Sequence, residues 1–429
     1  MTVLGRAGAC RLGGPQSRAM TIFVCIDSKQ TMSPAPSRPV EIKALAGARA
    51  IPPLILVLFH FCEGHGYRGA KWFDLPVGRG YLWVEFFFAL SGFVLTYVYG
   101  GRVAEFWSGK AYVPFLKARL TRLYPLHLAM LLVMLAMVIG FRALARHYGY
   151  VSIYDEPGHA IVNWQGFVAS LFLVQAWNTL PYLSWNGASW FVSVEWLLCL
   201  LFPFYLWIAR GRWPWGLALI VLGSGTLFHL ATTGQGLDLT FHNGMFRGLA
   251  DFAIGVGLAM LFREIKPRAD ALPDYVFSLA QAVALTALAL ALYDTGWART
   301  PLDIFTALAE MALILMLAFD RGFLARFFQT RVLLFLGEMS YAVYIGQLVV
   351  LQLARHAQLH WLPAPDATVL GRHWSDWQPQ WHWIVPFLVL AGAVIWGWLI
   401  FTLIEKPAAS ALKQWFARSE KRGAARANT

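Results

Sequence analysis

Along this chain apolar residues gather into long runs, and charged residues gather in the segments between them. Ten runs stand out, over 42–63, 81–99, 123–141, 190–208, 215–233, 246–262, 275–293, 302–319, 333–354 and 384–404. Each comes near the roughly 17–25 residues that an α-helix needs to cross a bilayer, once flanking residues are included. The pattern predicts an all-α fold, a polytopic transmembrane helical bundle of about ten spans. A shorter run, "FVASLFLVQAW" over 167–177, is expected to lie in the membrane interface or to re-enter it. Before about residue 40 the chain is rich in Gly, Ala, Ser, Pro and Arg, and its one apolar patch, 22–26, is too short for a signal-peptide core. A disordered cytoplasmic tail is expected over 1–40, with Met20 and Met32 as alternative starts. The transmembrane domain then covers 41–408, and a basic cytoplasmic tail covers 409–429.

Composition agrees with a membrane. The chain is 58% hydrophobic and 14% charged over 429 residues, more apolar than a soluble domain needs for its core. A net charge of +12 would suit nucleic acid if the cations formed one block. They do not. With the N-terminus inside, 26 of the 35 Lys and Arg fall in inner segments and 8 in outer loops, while Arg247 lies within a run. That asymmetry predicts both termini in the cytoplasm, a multi-pass protein of the inner (plasma) membrane, lipid as a partner and no nucleic acid. The C-terminal "KQWFARSEKRGAAR" is placed to meet anionic headgroups. The four cysteines form no C-x-x-C pair, so neither a disulfide framework nor a zinc site is indicated.

Ionisable groups inside the runs carry the chemistry. In "RAIPPLILVLFH", Arg49 and His60 flank ten uncharged residues. A continuous helix would set His60 about 16 Å deeper in the membrane than Arg49. Pro52 and Pro53 predict a helix start or a kink between them. A histidine at such depth either packs against a neighbouring helix through a hydrogen bond or lines a substrate path. Arg119 and Arg122, at i and i+3, share one helix face, so their guanidinium groups can converge on one anion; they also fit an ordinary positive-inside pair. Glu85 and Glu195 sit inside the second and fourth runs, where a carboxylate needs a partner.

Several stretches share an order that a known family also shows: "YLWVEFFFALSGFVLTY" (81–97), "FLKARLTRLYPLHL" (115–128), "NGASWFVSVEWLLCLLFP" (186–203), "RGLADFAIGVGLA" (247–259), "FLGEMSYAVYIGQLVV" (335–350) and "IEKPA" (404–408). Over roughly 42–408 the chain resembles the acyltransferase family 3 membrane proteins, a group that includes bacterial O-antigen and exopolysaccharide O-acetyltransferases. The resemblance implies acyl transfer from cytoplasmic acyl-CoA, usually acetyl-CoA, to a hydroxyl of a carbohydrate or lipid-linked (glycolipid) acceptor. The family's Arg-x10-His motif falls on Arg49 and His60, and its R-x-x-R motif on Arg119 and Arg122, both intact. CoA has phosphates at one end and a thioester at the other. Arg49, Arg119 and Arg122 would hold the phosphates while the thioester reaches His60, acting as general base or as acyl carrier. No metal is required.

The remaining candidates divide. Glu85 either orients the His60 imidazole or makes a structural hydrogen bond, and Glu195, with Ser193 close by, either contacts the acceptor or caps a polar network. Where the family often has a histidine in the ninth run, this chain has Gln347, which puts a role for a second imidazole in doubt. Gly255 and Gly257 read as helix-packing positions, because no strand precedes them as a phosphate-binding loop requires. His356 and His360 are spaced i, i+4 but have no intervening acid of the metalloprotease kind. A transporter of glycan or lipid is the rival class, with His60, Glu85, Glu195 and Arg247 along its path; it would be expected to show inverted repeats and paired broken helices, and neither is detected in the sequence. A non-catalytic scaffold is disfavoured by the intact Arg49, His60 and R-x-x-R.

Overall fold

The computed structural model of the chain describes residues 40–427 except 66, 68–70, 156–160, 211–212, 235, 294–296, 361–365, 370–371 and 376–382. The expected N-terminal tail and the choice between Met20 and Met32 lie outside the described residues. The principal helices are α1 (Lys43–Ala48), α2 (Ile51–His65), α3 (Trp83–Tyr99), α4 (Tyr112–Tyr148), α5 (Trp190–Ala209), α6 (Trp213–Thr233), α7 (Gly244–Ala269), α8 (Asp274–Tyr293), α9 (Asp303–Leu317), α10 (Arg331–Glu338), α11 (Ser340–His360), α12 (Val385–Ile400) and α13 (Lys406–Ala427). Among the described residues the named strands form one small antiparallel ribbon, Asp366–Val369 against Arg372–Ser375. The region expected to be a basic tail continues as helix α13.

Among the described residues eight helices are long and apolar enough to cross a membrane, and nine if the pair α10 and α11, bent by 65°, counts as one span. The run expected at 302–319 is α9, whose 15 residues amount to about 22 Å, short of a hydrocarbon core of about 30 Å. The stretch expected at 167–177 holds an eight-residue helix, Trp164–Leu171, which ends before Leu173 turns to positive φ. Third in the expected order, α4 is much longer than predicted, with 37 residues or about 55 Å, so the basic Lys117, Arg119 and Arg122 lie on its first turns. It stops at Gly149, whose φ of +76° suits a residue without a Cβ.

Two details position the site. The first span breaks between α1 and α2, where Pro52 and Pro53 withhold the N–H groups that would bond the carbonyls of Ala48 and Arg49. Arg49 therefore sits in a turn. The second detail is close packing on α7, the most buried span, between α3 and α6. A Cβ on Gly255 would stand 2.0 Å from the Ala89 carbonyl oxygen, and one on Gly257 would stand 2.4 Å from that of Gly216. Both glycines work as helix-packing residues, letting backbones approach as small residues do in membrane bundles.

Candidate active site

Five helices, α1, α3, α4, α5 and α11, converge on one cavity of about 380 Å³. Arg49 reaches it from the turn after α1, Arg119 and Arg122 from α4, Ser91 and Phe87 from α3, Glu195 and Phe191 from α5, and Tyr344 from α11. Its lining along α3 runs from Phe87 to Val98, about 16 Å on helical rise. The three arginines make no ion pair and no side-chain hydrogen bond among the described residues, although the Arg119 guanidinium lies 5.6 Å from the centre of the Phe115 ring. Arg122 is exposed to the cavity. Three guanidinium groups around one opening, without an ion-pair partner among the described residues, have the chemistry to receive a multiply charged anion.

Glu195 lies in the same cavity and accepts a hydrogen bond from Ser91 Oγ at 2.6 Å, while its second carboxylate oxygen has no partner. Ser193, expected beside Glu195, holds the preceding loop instead: its hydroxyl donates to the Leu173 carbonyl at 2.8 Å and accepts from the Ala176 N–H at 3.2 Å. Three aromatic rings bound the end of the cavity farthest from Val98. Phe87 stands 5.8 Å from Phe191 and 6.3 Å from Tyr344, and Phe191 stands 5.5 Å from Tyr344.

His60 does not line this cavity. It is half-buried on α2, and its Nδ1 lies 3.1 Å from Oε1 of Gln347, one turn beyond Tyr344 on α11. Gln347 is fully buried and its amide nitrogen donates to the Tyr344 carbonyl at 2.9 Å. The residue that the family resemblance marked as a departure is thus the imidazole's partner. Glu85, weighed as the orienting group, is engaged elsewhere. Its two oxygens accept from Nε and Nη2 of Arg247 at 2.8 and 2.5 Å, and both side chains are fully buried. Arg247 also donates to the carbonyls of Leu239 and Tyr81 and stacks 5.6 Å from the centre of Trp190. All three nitrogens of this guanidinium are engaged, in four hydrogen bonds, and the pair compensates its own charge inside the bundle.

Asp251 and Glu310 were not singled out from sequence. Both are fully buried and their carboxylate oxygens have no hydrogen-bond partner. Each is an acid inside an apolar run, the same signal that marked Glu85. His356 stacks on Phe141 at 4.4 Å and His360 on Tyr150 at 3.9 Å, which gives both rings aromatic packing.

A multi-pass bundle that gathers arginines, a carboxylate and aromatic rings around one cavity, with a hydrogen-bonded imidazole one turn further in, has the parts of a membrane-embedded transferase. The acyltransferase family 3 model, described as an acyltransferase domain, matches residues 42–403, and the chain belongs to that family. It is accordingly an O-acyltransferase. It is 26% identical over 404 residues to the acyltransferase MdmB of Streptomyces mycarofaciens, covering 87% of this chain and 92% of that protein. It is also 32% identical over 163 residues to protein 2 in the picA locus of Rhizobium radiobacter, covering 38% of this chain and 78% of that protein. No solved structure gives a significant match.

Proposed function

We propose that this acyltransferase moves an acyl group, acetyl in the first instance, from cytoplasmic acyl-CoA to a hydroxyl of a cell-envelope carbohydrate or lipid-linked glycan. The protein lies in the plasma membrane with both chain ends in the cytoplasm. One observation carries the reading: Arg49, Arg119 and Arg122, none paired with an acid among the described residues, surround a cavity whose far end lies one helical turn from the residue that holds His60. A CoA thioester has the matching shape, with phosphates at one end for the arginines and a long thin arm for the apolar stretch. The acceptor class follows from the family resemblance.

In the direct route, His60 takes the proton of the acceptor hydroxyl as its oxygen attacks the thioester carbonyl. The C–S bond breaks, CoA leaves as the thiolate, and the imidazolium returns the proton to sulfur. In the stepwise route the neutral imidazole attacks the thioester carbonyl, the C–S bond breaks and CoA leaves as the thiolate; the acceptor hydroxyl then attacks the acyl group on the ring, the C–N bond breaks to free the imidazole, and the hydroxyl proton passes to the thiolate. Purified protein in lipid nanodiscs, given labelled acetyl-CoA and the host's envelope fraction, is expected to transfer the label. His60→Ala is expected to bind CoA as wild type does and to lose about a hundred- to ten-thousandfold in rate. A folded His60→Ala protein that still transfers at the wild-type rate refutes the assignment, and so does a wild type that labels no envelope acceptor.

A further inference from the structure

The hydrogen bonds around Gln347 determine which nitrogen of His60 carries the proton. An amide side chain has one end that donates and one that accepts. The end of Gln347 that faces the Tyr344 carbonyl, at 2.9 Å, meets an acceptor and must be the –NH₂. The opposite end, Oε1, then faces His60 Nδ1 at 3.1 Å and can only accept. Nδ1 must therefore donate. In a neutral imidazole the other nitrogen, Nε2, is then unprotonated, and it makes no hydrogen bond to the described residues.

We propose that Gln347 is a positioning residue that locks His60 in its Nδ1–H tautomer and leaves the Nε2 lone pair for the proton or the acyl group. This rests on the reading of His60 as the reacting imidazole. The –NH₂ end of the lock is fixed by the backbone. Gln347 and Tyr344 are three residues apart on α11, so the carbonyl that orients the amide belongs to the same helix, and burial of Gln347 leaves the amide no water to exchange with. A carboxylate in that place would also accept from Nδ1–H, but it would put an oxygen against the Tyr344 carbonyl. The amide meets both neighbours at once. This also accounts for a chain that does without a second histidine here: orienting the first ring takes an acceptor, and an amide supplies one.

Two measurements test the proposal. The ¹⁵N resonances of histidine-labelled protein in bilayers, assigned by the signal that disappears in His60→Ala, distinguish protonated from unprotonated ring nitrogens. The neutral wild type is expected to show Nδ1 protonated and Nε2 not, and Gln347→Met, which keeps the unbranched shape, is expected to lose that exclusive pattern. In kinetics, Gln347→Met is expected to lower kcat by about 10- to 100-fold, by analogy with the loss when a group orienting a metal-ligating histidine is removed. The KM for the donor should hold within about twofold, because Gln347 does not line the arginine cavity. Gln347→Glu, which keeps an acceptor, should recover part of the lost kcat. An Nε2-protonated ring in wild type overturns the proposal even where Gln347→Met fails to fold, as does a Gln347→Met enzyme with wild-type kcat. If His60→Ala retains full activity while the wild-type ring is Nδ1-protonated, the tautomer lock stands and the catalytic reading of His60 falls.

Discussion

Breaking the Glu85–Arg247 pair separates a structural role from a catalytic one. Glu85→Gln removes the negative charge and leaves the fully buried guanidinium facing an amide. Removing one partner of a buried pair costs about 3–5 kcal/mol, because the remaining charge has lost its compensation. Arg247→Met leaves the carboxylate uncompensated and also strips donors from the Leu239 and Tyr81 carbonyls, at about 1–3 kcal/mol for a buried polar group left unsatisfied. The double variant leaves no unpaired charge from this pair and keeps only the carbonyl and packing losses. It is therefore expected to be more stable than Arg247→Met alone, a strongly sub-additive cycle. Denaturation midpoints in detergent micelles, followed by tryptophan fluorescence, read the stabilities; transfer of labelled acetyl reads the chemistry. The double variant should retain transfer with an unchanged donor KM, because neither residue lines the cavity. Additive losses would refute the Glu85–Arg247 pairing. A stable Glu85→Gln protein that had lost only its chemistry would restore Glu85 as the group acting on His60.

Three further outcomes are expected. Arg122→Ala should weaken CoA binding in a direct titration by about tenfold to 150-fold, the equivalent of one charged hydrogen-bonded contact of about 1.5–3 kcal/mol, and Arg122→Lys should recover part of it; wild-type affinity in both would remove the phosphate assignment. Gly255→Ala should destabilise the protein by about 1–3 kcal/mol, since its Cβ would stand 2.0 Å from the Ala89 carbonyl oxygen, whereas Gly225→Ala, with nothing within 4 Å, should be neutral or stabilising; equal midpoints for the two would contradict the α3–α7 packing. Reporter fusions after Gly109 and Lys413 should read cytoplasmic and one after Gly236 external, and an external Gly109 would put the arginine cavity on the wrong side for cytoplasmic CoA.

How far the sequence could be read depends on whether a property is local or needs two helices. Apolar length is local, so the existence of most spans was legible, and so was the break at Pro52 and Pro53. The exceptions are also physical. The run 302–319 becomes a helix of 15 residues, starting at Asp303, whose carboxylate accepts from Tyr81 and from the Leu237 N–H and pairs with Arg79. Those partners lie 66 to more than 200 residues away, and hydropathy cannot register them. Arg119 and Arg122 shared a face by their spacing alone. Their convergence with Arg49 needed the α1 turn to meet α4. Partner choice was the least legible feature. Glu85 and Gln347 were both visible as polar residues in apolar runs, and nothing along the chain says that one belongs to Arg247 and the other to His60. The distinction follows from which helix faces which. On α3, Glu85 looks toward α7, where a guanidinium can absorb a full charge in a dry interior. On α11, Gln347 looks toward α2, where its amide oxygen meets His60 Nδ1 at 3.1 Å. A carboxylate exchanged into the second place would stabilise the imidazolium, and a base held in that form gives up its proton less readily. An uncharged partner orients the ring without that bias, and in the bilayer core it avoids the burial of one more charge.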